Sequence, residues 1–457
     1  CVMSIPRILL TAPASGSGKT LITCGILQAL VNRGLKVASF KCGPDYIDPM
    51  FHGNVIGTKS RNLDTFFTDP DTTRYLFCKN ASGCDVAVAE GVMGYYDGLG
   101  GMKTEGSTYD AACTLDLPTI LIVNGRGASL SLLALVKGFL EYRKDSHIRA
   151  VILNQVSPMI YQGLKRQMEE ELGIRVLGYV PKVTELALES RHLGLKLPGE
   201  IRELKEKLAR LAEVLEDTLD LDGLLALAKE APDLQAVRPD FPVLPEGKRP
   251  RIAVAQDEAF CFTYLDNLEL LEDMGAELVP FSPLEDETLP EGAKGMILSG
   301  GYPELHAARL SGNTSMLRAI RRAVENGMPC IAECGGFLYL HRELEGADGV
   351  YYPMAGVIDA KAYRTDRLGR FGYITLEAGK DQLLGSRGMT IRGHEFHYWD
   401  SERCGEDFHA RKPAGCREWD CVCAGESLYA GFPHLFYYSN PDAAYEFLKK
   451  CGEYETC

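Results

Sequence analysis

The stretch Ile8-Leu9-Leu10-Thr11-Ala12-Pro13-Ala14-Ser15-Gly16-Ser17-Gly18-Lys19-Thr20 decides the fold of the first half of the chain. A short apolar run reads as a buried strand. A glycine-rich turn follows, and Gly-Lys-Thr opens the helical pattern of Leu21 to Asn32. Strand, loop and helix in that order make a P-loop. Backbone N–H groups of Ser15, Gly16, Ser17 and Gly18 and the helix N-terminus hold phosphates, Lys19 reaches the β- and γ-oxygens of ATP, and the Thr20 hydroxyl serves Mg²⁺. Pro13 stands where the common pattern has Gly, a modest departure.

Outward from this loop, residues 7 to 180 alternate short apolar runs with helical patterns. Val37-Ala38-Ser39-Phe40, Val86-Ala87-Val88-Ala89, Thr119-Ile120-Leu121-Ile122-Val123 and Ala150-Val151-Ile152-Leu153 read as further buried strands. Such alternation predicts an α/β domain, a parallel sheet with helices on both faces. Residues 201 to 231 carry Leu, Glu, Lys and Ala at helical spacing and predict one or two surface helices. Pro232 to Pro250 holds five prolines and little periodicity, which reads as linker. A second alternating series starts at Arg251-Ile252-Ala253-Val254-Ala255. The division expected is 1–235, a linker 236–250, and 251–457.

Composition bounds the function. The chain has 457 residues, 46% hydrophobic and 25% charged, as in soluble globular proteins. A net charge of −14 argues against a nucleic-acid partner, and an anionic substrate would need local Lys or Arg. No apolar run approaches the roughly 18 residues of a membrane helix. The start runs directly into a strand-like segment, so fifteen cysteines are expected as reduced thiols in the cytoplasm.

Two segments at strand ends add chemistry to the phosphate loop. Val86-Ala87-Val88-Ala89 ends in Glu90-Gly91, and a carboxylate there is placed to serve Mg²⁺. Asp97 lies just beyond, in the glycine-rich run Gly91 to Gly98. Lys41-Cys42-Gly43-Pro44-Asp45-Tyr46-Ile47-Asp48-Pro49 gathers two carboxylates, a cation and a phenol, as a substrate or metal-phosphate site would. Lys41, Arg61 and Arg126 are candidates to meet substrate carboxylates.

The second half carries a thiol. Ile331-Ala332-Glu333-Cys334-Gly335-Gly336 reads as a strand turning sharply into a helix, with Cys334 on the turn as nucleophile. The N–H groups of Gly335 and of Gly301, in Ser299-Gly300-Gly301, are the expected oxyanion donors. His434, in Gly431-Phe432-Pro433-His434, is the expected base, with His394 and His397 as competitors. Cys404, Cys416, Cys421 and Cys423 lack the spacing of a paired CxxC metal site.

These segments, with Ser190-Arg191-His192-Leu193-Gly194-Leu195, Ser299-Gly300-Gly301-Tyr302-Pro303-Glu304 and Gly393-His394-Glu395-Phe396-His397-Tyr398, resemble the cobyrinic acid a,c-diamide synthase family in their order and over nearly the whole chain. The resemblance implies an N-terminal domain similar to dethiobiotin synthetase and a C-terminal class I glutamine amidotransferase domain. It implies ATP, Mg²⁺, glutamine and a corrinoid as partners, with acyl phosphates formed on the a and c acetate side chains. Thr20, Asp48 and Glu90 would serve the metal, and Asp45, Tyr46 and Asp97 the substrate, with Lys41 a substrate contact on the ground of its charge. Asn154 and Pro181 would lie near the adenine, and Cys334 and His434 would be nucleophile and base. Class I amidotransferases usually carry Glu two residues after that His. Phe436 stands there instead, as in the cobyrinate branch, so what orients His434 is open.

Other readings of the same residues are hydrogenobyrinic acid or Ni-sirohydrochlorin as the tetrapyrrole, or a partitioning-type switch ATPase. The last usually has an early loop lysine where this chain has Ala14. A homodimer is left open.

Overall fold

The computed structural model describes residues 1–182 and 198–455, in two compact units, Cys1–Pro239 and Asp240–Cys457. The segment Ser190 to Leu195 falls outside the described residues.

The first unit is built on a seven-stranded parallel sheet. In spatial order its strands are Lys59–Leu63, Val37–Cys42, Val86–Glu90, Arg7–Thr11, Thr119–Asn124, Ile148–Asn154 and Arg175–Val180. Strand residues alternate between two apolar layers. Leu9, Phe40, Ala87, Ala89, Leu121, Val123, Val151 and Leu153 enter one, and Ile8, Leu10, Val86, Val88, Ile120, Ile122 and Ile152 the other. A strand covered on both faces reads as a continuous apolar run, which is why these segments show no polar alternation. Each fully buried aliphatic side chain contributes about 1.5–3 kcal/mol.

Helices Pro70–Ala81, Thr108–Leu115, Ser131–Glu141 and Pro158–Leu172 contribute to the first layer, and Lys19–Asn32, Pro198–Thr218 and Leu221–Lys229 to the second. Arg7 is wholly buried at the start of the central strand. Its guanidinium donates to the carbonyls of Leu115, Ile5 and Pro232, so no donor nitrogen faces the core unpaired.

The second unit has a six-stranded sheet in the order Glu277–Phe281, Arg251–Ala255, Ala293–Leu298, Cys330–Glu333, Leu428–Gly431 and Cys423–Ala424, parallel except for the last pair. A five-stranded antiparallel sheet follows the order Glu418–Cys421, Phe408–Arg411, Gly372–Ala378, Thr390–Glu395 and His434–Leu435. The cysteine-rich region is accounted for by strands and side-chain contacts. Cys421 and Cys423 are buried in strands, and Cys404 Sγ lies 3.2 Å from Asp400 Oδ1 and 3.3 Å from Arg370 Nη2. Among the described residues no group of three or more His, Cys, Asp or Glu is arranged to hold a metal, and no helix is long and apolar enough to cross a membrane.

Candidate functional site

The phosphate loop sits at the carboxyl end of the central strand of the first sheet, where parallel α/β sheets bind ligands. Gly16 and Gly18 have φ of +80° and +82°, a region glycine enters without a Cβ penalty. A Cβ on Gly18 would also collide with the Asn154 amide, which donates to Ser17 O at 2.9 Å. Asn154 therefore packs against the loop from the end of the strand Ile148–Asn154, and Pro181 follows the adjacent strand. The Ser17 hydroxyl donates to Ala14 O at 2.8 Å. Thr20 is in the first turn of the helix that Lys19 opens, with Lys19 Nζ 3.4 Å from Met93 O. Burial, with the nearby Lys41 ammonium, lowers Lys19 to about 8. A site that strips water from its cation is primed to regain the charge from an anion.

Lys41 and Glu90 are register partners on adjacent parallel strands. The Lys41 ammonium lies 3.1 Å from Asp48 Oδ2 and 3.3 Å from Glu90 Oε1, with all three side chains buried. The Lys41 charge is thus held between two carboxylates of the chain itself. Those partners hold its charge on against the cost of burial. His52, which the sequence reading missed, has Nε2 3.7 Å from Glu90 Oε2. It is delivered by the short helix His52–Ile56, which continues Ile47–Phe51, and no local sequence signal marks it.

Asp45 lies just before the helix that brings Asp48 in. Its carboxylate accepts from the N–H of Ile47 and of Asp48, each at 3.1 Å, and burial raises its pKa. Tyr46 is buried at that helix start. Asp97 accepts from Gly94 N at 3.1 Å, while Tyr95 N donates to Ala12 O at 3.0 Å, so the loop carrying Asp97 is laced to the phosphate loop. Arg61 donates to Ser60 O from the edge strand Lys59–Leu63, and Arg126 is exposed beyond the strand Thr119–Asn124.

In the second unit three adjacent strands deliver three functional segments at one sheet end. Cys330–Glu333 leads to Cys334, Ala293–Leu298 leads to Ser299-Gly300-Gly301, and Leu428–Gly431 leads to His434. Cys334 has φ +48° and ψ −101°, a strained conformation for a residue with a Cβ, costing about 1–3 kcal/mol. Its N–H donates to Gly431 O at 2.8 Å. A Cβ on Gly336 would strike Leu298 O, so only glycine lets the helix Gly335–Tyr339 pack this close to the sheet. An ideal Cβ on Gly335 would lie 3.0 Å from Gly301 N, which puts the two expected oxyanion donors side by side.

Burial, with the carboxylates of Glu304, Glu395 and Glu333, pushes the Cys334 thiol up, so the sulfur keeps its proton at rest. Burial, with His394 and His397, pulls His434 well down, so its imidazole is neutral and able to accept a proton. A Cβ on Gly300 would lie 2.6 Å from His434 Cε1, placing this ring against the oxyanion turn. Glu333 ties the elbow to the base: its carboxylate accepts from Leu435 N at 2.5 Å.

The other two histidines are engaged differently. His397 Nε2 lies 2.9 Å from Glu395 Oε2 and Nδ1 lies 2.6 Å from Trp399 O, with its ring stacked on Phe432. His394 stacks on His434, rings 5.0 Å apart and 18° from parallel, and its Nδ1 lies 3.1 Å from the Tyr264 hydroxyl. Tyr264 and Glu333 were not singled out from sequence, since neither carries a spacing signal.

Comparisons with known proteins agree with this geometry. Residues 8–195 match the CobQ/CobB/MinD/ParA nucleotide binding domain, and residues 251–436 match the CobB/CobQ-like glutamine amidotransferase domain. Among similar curated proteins, a cobyrinate a,c-diamide synthase of Caldanaerobacter subterraneus subsp. tengcongensis is 42% identical, covering 96% of this chain and 97% of its own. Namesakes from Listeria innocua and Salmonella typhimurium are 41% and 40% identical, covering 95% of this chain and 97% and 95% of theirs. With a phosphate loop in one unit, a strained thiol elbow in the other and relatives of this identity along nearly its whole length, the chain belongs to the cobyrinate a,c-diamide synthase family of glutamine-dependent ligases.

Proposed function

We propose that this enzyme amidates the a and c acetate carboxylates of cobyrinic acid, using ATP and glutamine and passing through acyl phosphates. The observation that supports it most is the strained Cys334 elbow beside Gly300-Gly301 and His434, in a chain whose other unit sets a phosphate loop beside the Lys41, Asp48 and Glu90 cluster.

In the amidotransferase unit, His434 accepts the thiol proton as Cys334 Sγ attacks the glutamine amide carbon. The N–H groups of Gly301 and Gly335 stabilise the oxyanion. The C–N bond then breaks, His434 returns the proton, and ammonia leaves. Water cleaves the resulting thioester to glutamate and free thiol. In the synthetase unit, a substrate carboxylate oxygen forms a bond to the γ-phosphorus of ATP as the bond to ADP breaks, with Lys19 and the loop N–H groups holding the phosphates. Ammonia attacks the acyl carbon, and phosphate departs.

Both Glu90 oxygens are buried and accept no hydrogen bond among the described residues, which suits a cation site. Thr20, Asp48 and Glu90 would hold Mg²⁺, which supplies charge neutralisation for phosphoryl transfer. Asn154 and Pro181 would border the adenine, and Lys41, Asp45, Tyr46 and Asp97 would meet the corrinoid. The boundaries we propose for the working parts are those expected from sequence, 1–235 and 251–457.

Cys334→Ala tests this reading. Glutamine-dependent amidation should vanish while amidation with added ammonia persists, and Lys19→Ala should remove both. Retained glutamine hydrolysis in Cys334→Ala would overturn the nucleophile. Turnover of hydrogenobyrinic acid in preference to cobyrinic acid would overturn the substrate.

A further inference from the structure

The base of an amidotransferase needs its ring held in one orientation and its charged form stabilised for the moment it carries the thiol proton. A carboxylate two residues beyond usually does this in class I enzymes, and this chain has Phe436 there. What the structure places against His434 is an imidazole. His394 and His434 are directly opposed in the antiparallel pair Thr390–Glu395 and His434–Leu435. A Cβ on Gly393 would collide with His434 O, so that strand approaches the base as closely as a backbone can. The two rings stack at 5.0 Å and 18°, and the Tyr264 hydroxyl fixes His394 at Nδ1.

We propose that His394 is the positioning residue for His434, its ring fixing the plane of the catalytic imidazole where other class I amidotransferases use a carboxylate. This rests on the reading of Cys334 and His434 as nucleophile and base. Burial keeps His394 neutral, lowering it to about 3. A ring 5.0 Å away and 18° from parallel shields His434 from water and holds it neutral until it takes the thiol proton. Glu333 completes the frame by fixing Leu435 N, one residue beyond the base.

The groups about His434 are His394 and His397, Cys334 and Glu333 from the elbow, Glu395 at the end of the His394 strand, and Tyr429, whose hydroxyl donates to Pro433 O, with the Tyr264 phenol on His394. Glu395 is taken up by His397 and Trp419. With the stacked ring present, His434 sits low and the acid limb of glutamine hydrolysis lies correspondingly low. Truncating His394 admits water, so the base regains affinity for protons and the limb moves to higher pH.

The experiment measures glutamine hydrolysis against pH, and ammonia-dependent amidation, in wild type, His394→Ala, His394→Phe and Tyr264→Phe. His394→Ala should lose about 100-fold in kcat for glutamine hydrolysis, as expected for a displaced catalytic group, with its acid limb moved upward. His394→Phe keeps a ring face and should stay within about tenfold with the limb in place. Tyr264→Phe should fall between them. Ammonia-dependent amidation should be unchanged in all three. Wild-type kcat and limb in His394→Ala, or equal losses in the Ala and Phe variants, would overturn the proposal. Matching loss of ammonia-dependent amidation would make His394 merely structural and overturn it too. Cys334→Ala run alongside keeps the premise separate: glutamine hydrolysis surviving there overturns the nucleophile itself, whereas its loss there with an unaffected His394→Ala overturns only the positioning role.

Discussion

Replacing Lys41 with Met removes one charge from a place that holds two opposite ones. The ammonium stands 3.1 Å from Asp48 and 3.3 Å from Glu90, and the three side chains are 6%, 5% and 0% exposed. At an effective dielectric near 20, Coulomb's law assigns roughly 5 kcal/mol to each contact. Desolvation of the ions offsets much of this, and losing one partner of a buried pair costs about 3–5 kcal/mol because the other charge stays buried alone. For a unit of this size each kcal/mol moves the midpoint by about 2–4 °C, so Lys41→Met should unfold some 6–20 °C below wild type in EDTA.

One consequence checks the cause. Two bare carboxylates attract a divalent cation, so Mg²⁺ should raise the variant more than wild type. The assay is differential scanning fluorimetry of the transition that ATP raises, with EDTA or Mg²⁺. A midpoint within about 2 °C of wild type in EDTA, or equal gains from Mg²⁺ in both proteins, would refute the reasoning.

Lys19 yields a proton-linkage prediction. Burial lowers it to about 8, and phosphates should restore its charge, so ATP binding at pH 8 should take up about half a proton. Calorimetry in two buffers of different ionisation enthalpy measures this, and an identical apparent enthalpy in both would contradict it. Glu333 is raised by burial to about 8, above its unfolded value, so its contribution is complete at low pH and lost as pH rises towards 8. Gln can still accept the Leu435 N–H without the buried charge. Glu333→Gln should therefore gain in melting temperature over wild type as pH climbs from 5 to 9, and a flat or falling difference would oppose this.

Much of the framework was legible because it is written locally. The phosphate loop, the runs that became the strands Arg7–Thr11 and Val86–Glu90, and the Cys334 elbow each occupy a few consecutive residues whose types fix the backbone. The orientation of Lys41 was not legible. Every residue of Val37–Cys42 is buried, and a strand covered on both faces gives no polar alternation to tell which way a side chain points. Nor was the partnership of His394 and His434 legible. It depends on the register of two strands 40 residues apart, set by a sheet whose short antiparallel strands give weak periodic signals. His52 and Tyr264 were missed for the same reason, their roles arising from long-range packing.

The central claim is that nitrogen released at Cys334 is the nitrogen that displaces phosphate from an activated carboxylate in the other unit. Its most direct test is to incubate the enzyme with cobyrinic acid, ATP, Mg²⁺ and amide-¹⁵N glutamine, counting labelled nitrogens in the product and ADP released. The account predicts that both new amides carry ¹⁵N, with one ADP formed for each. Amidation without ADP formation, or product amides lacking the label, would contradict it.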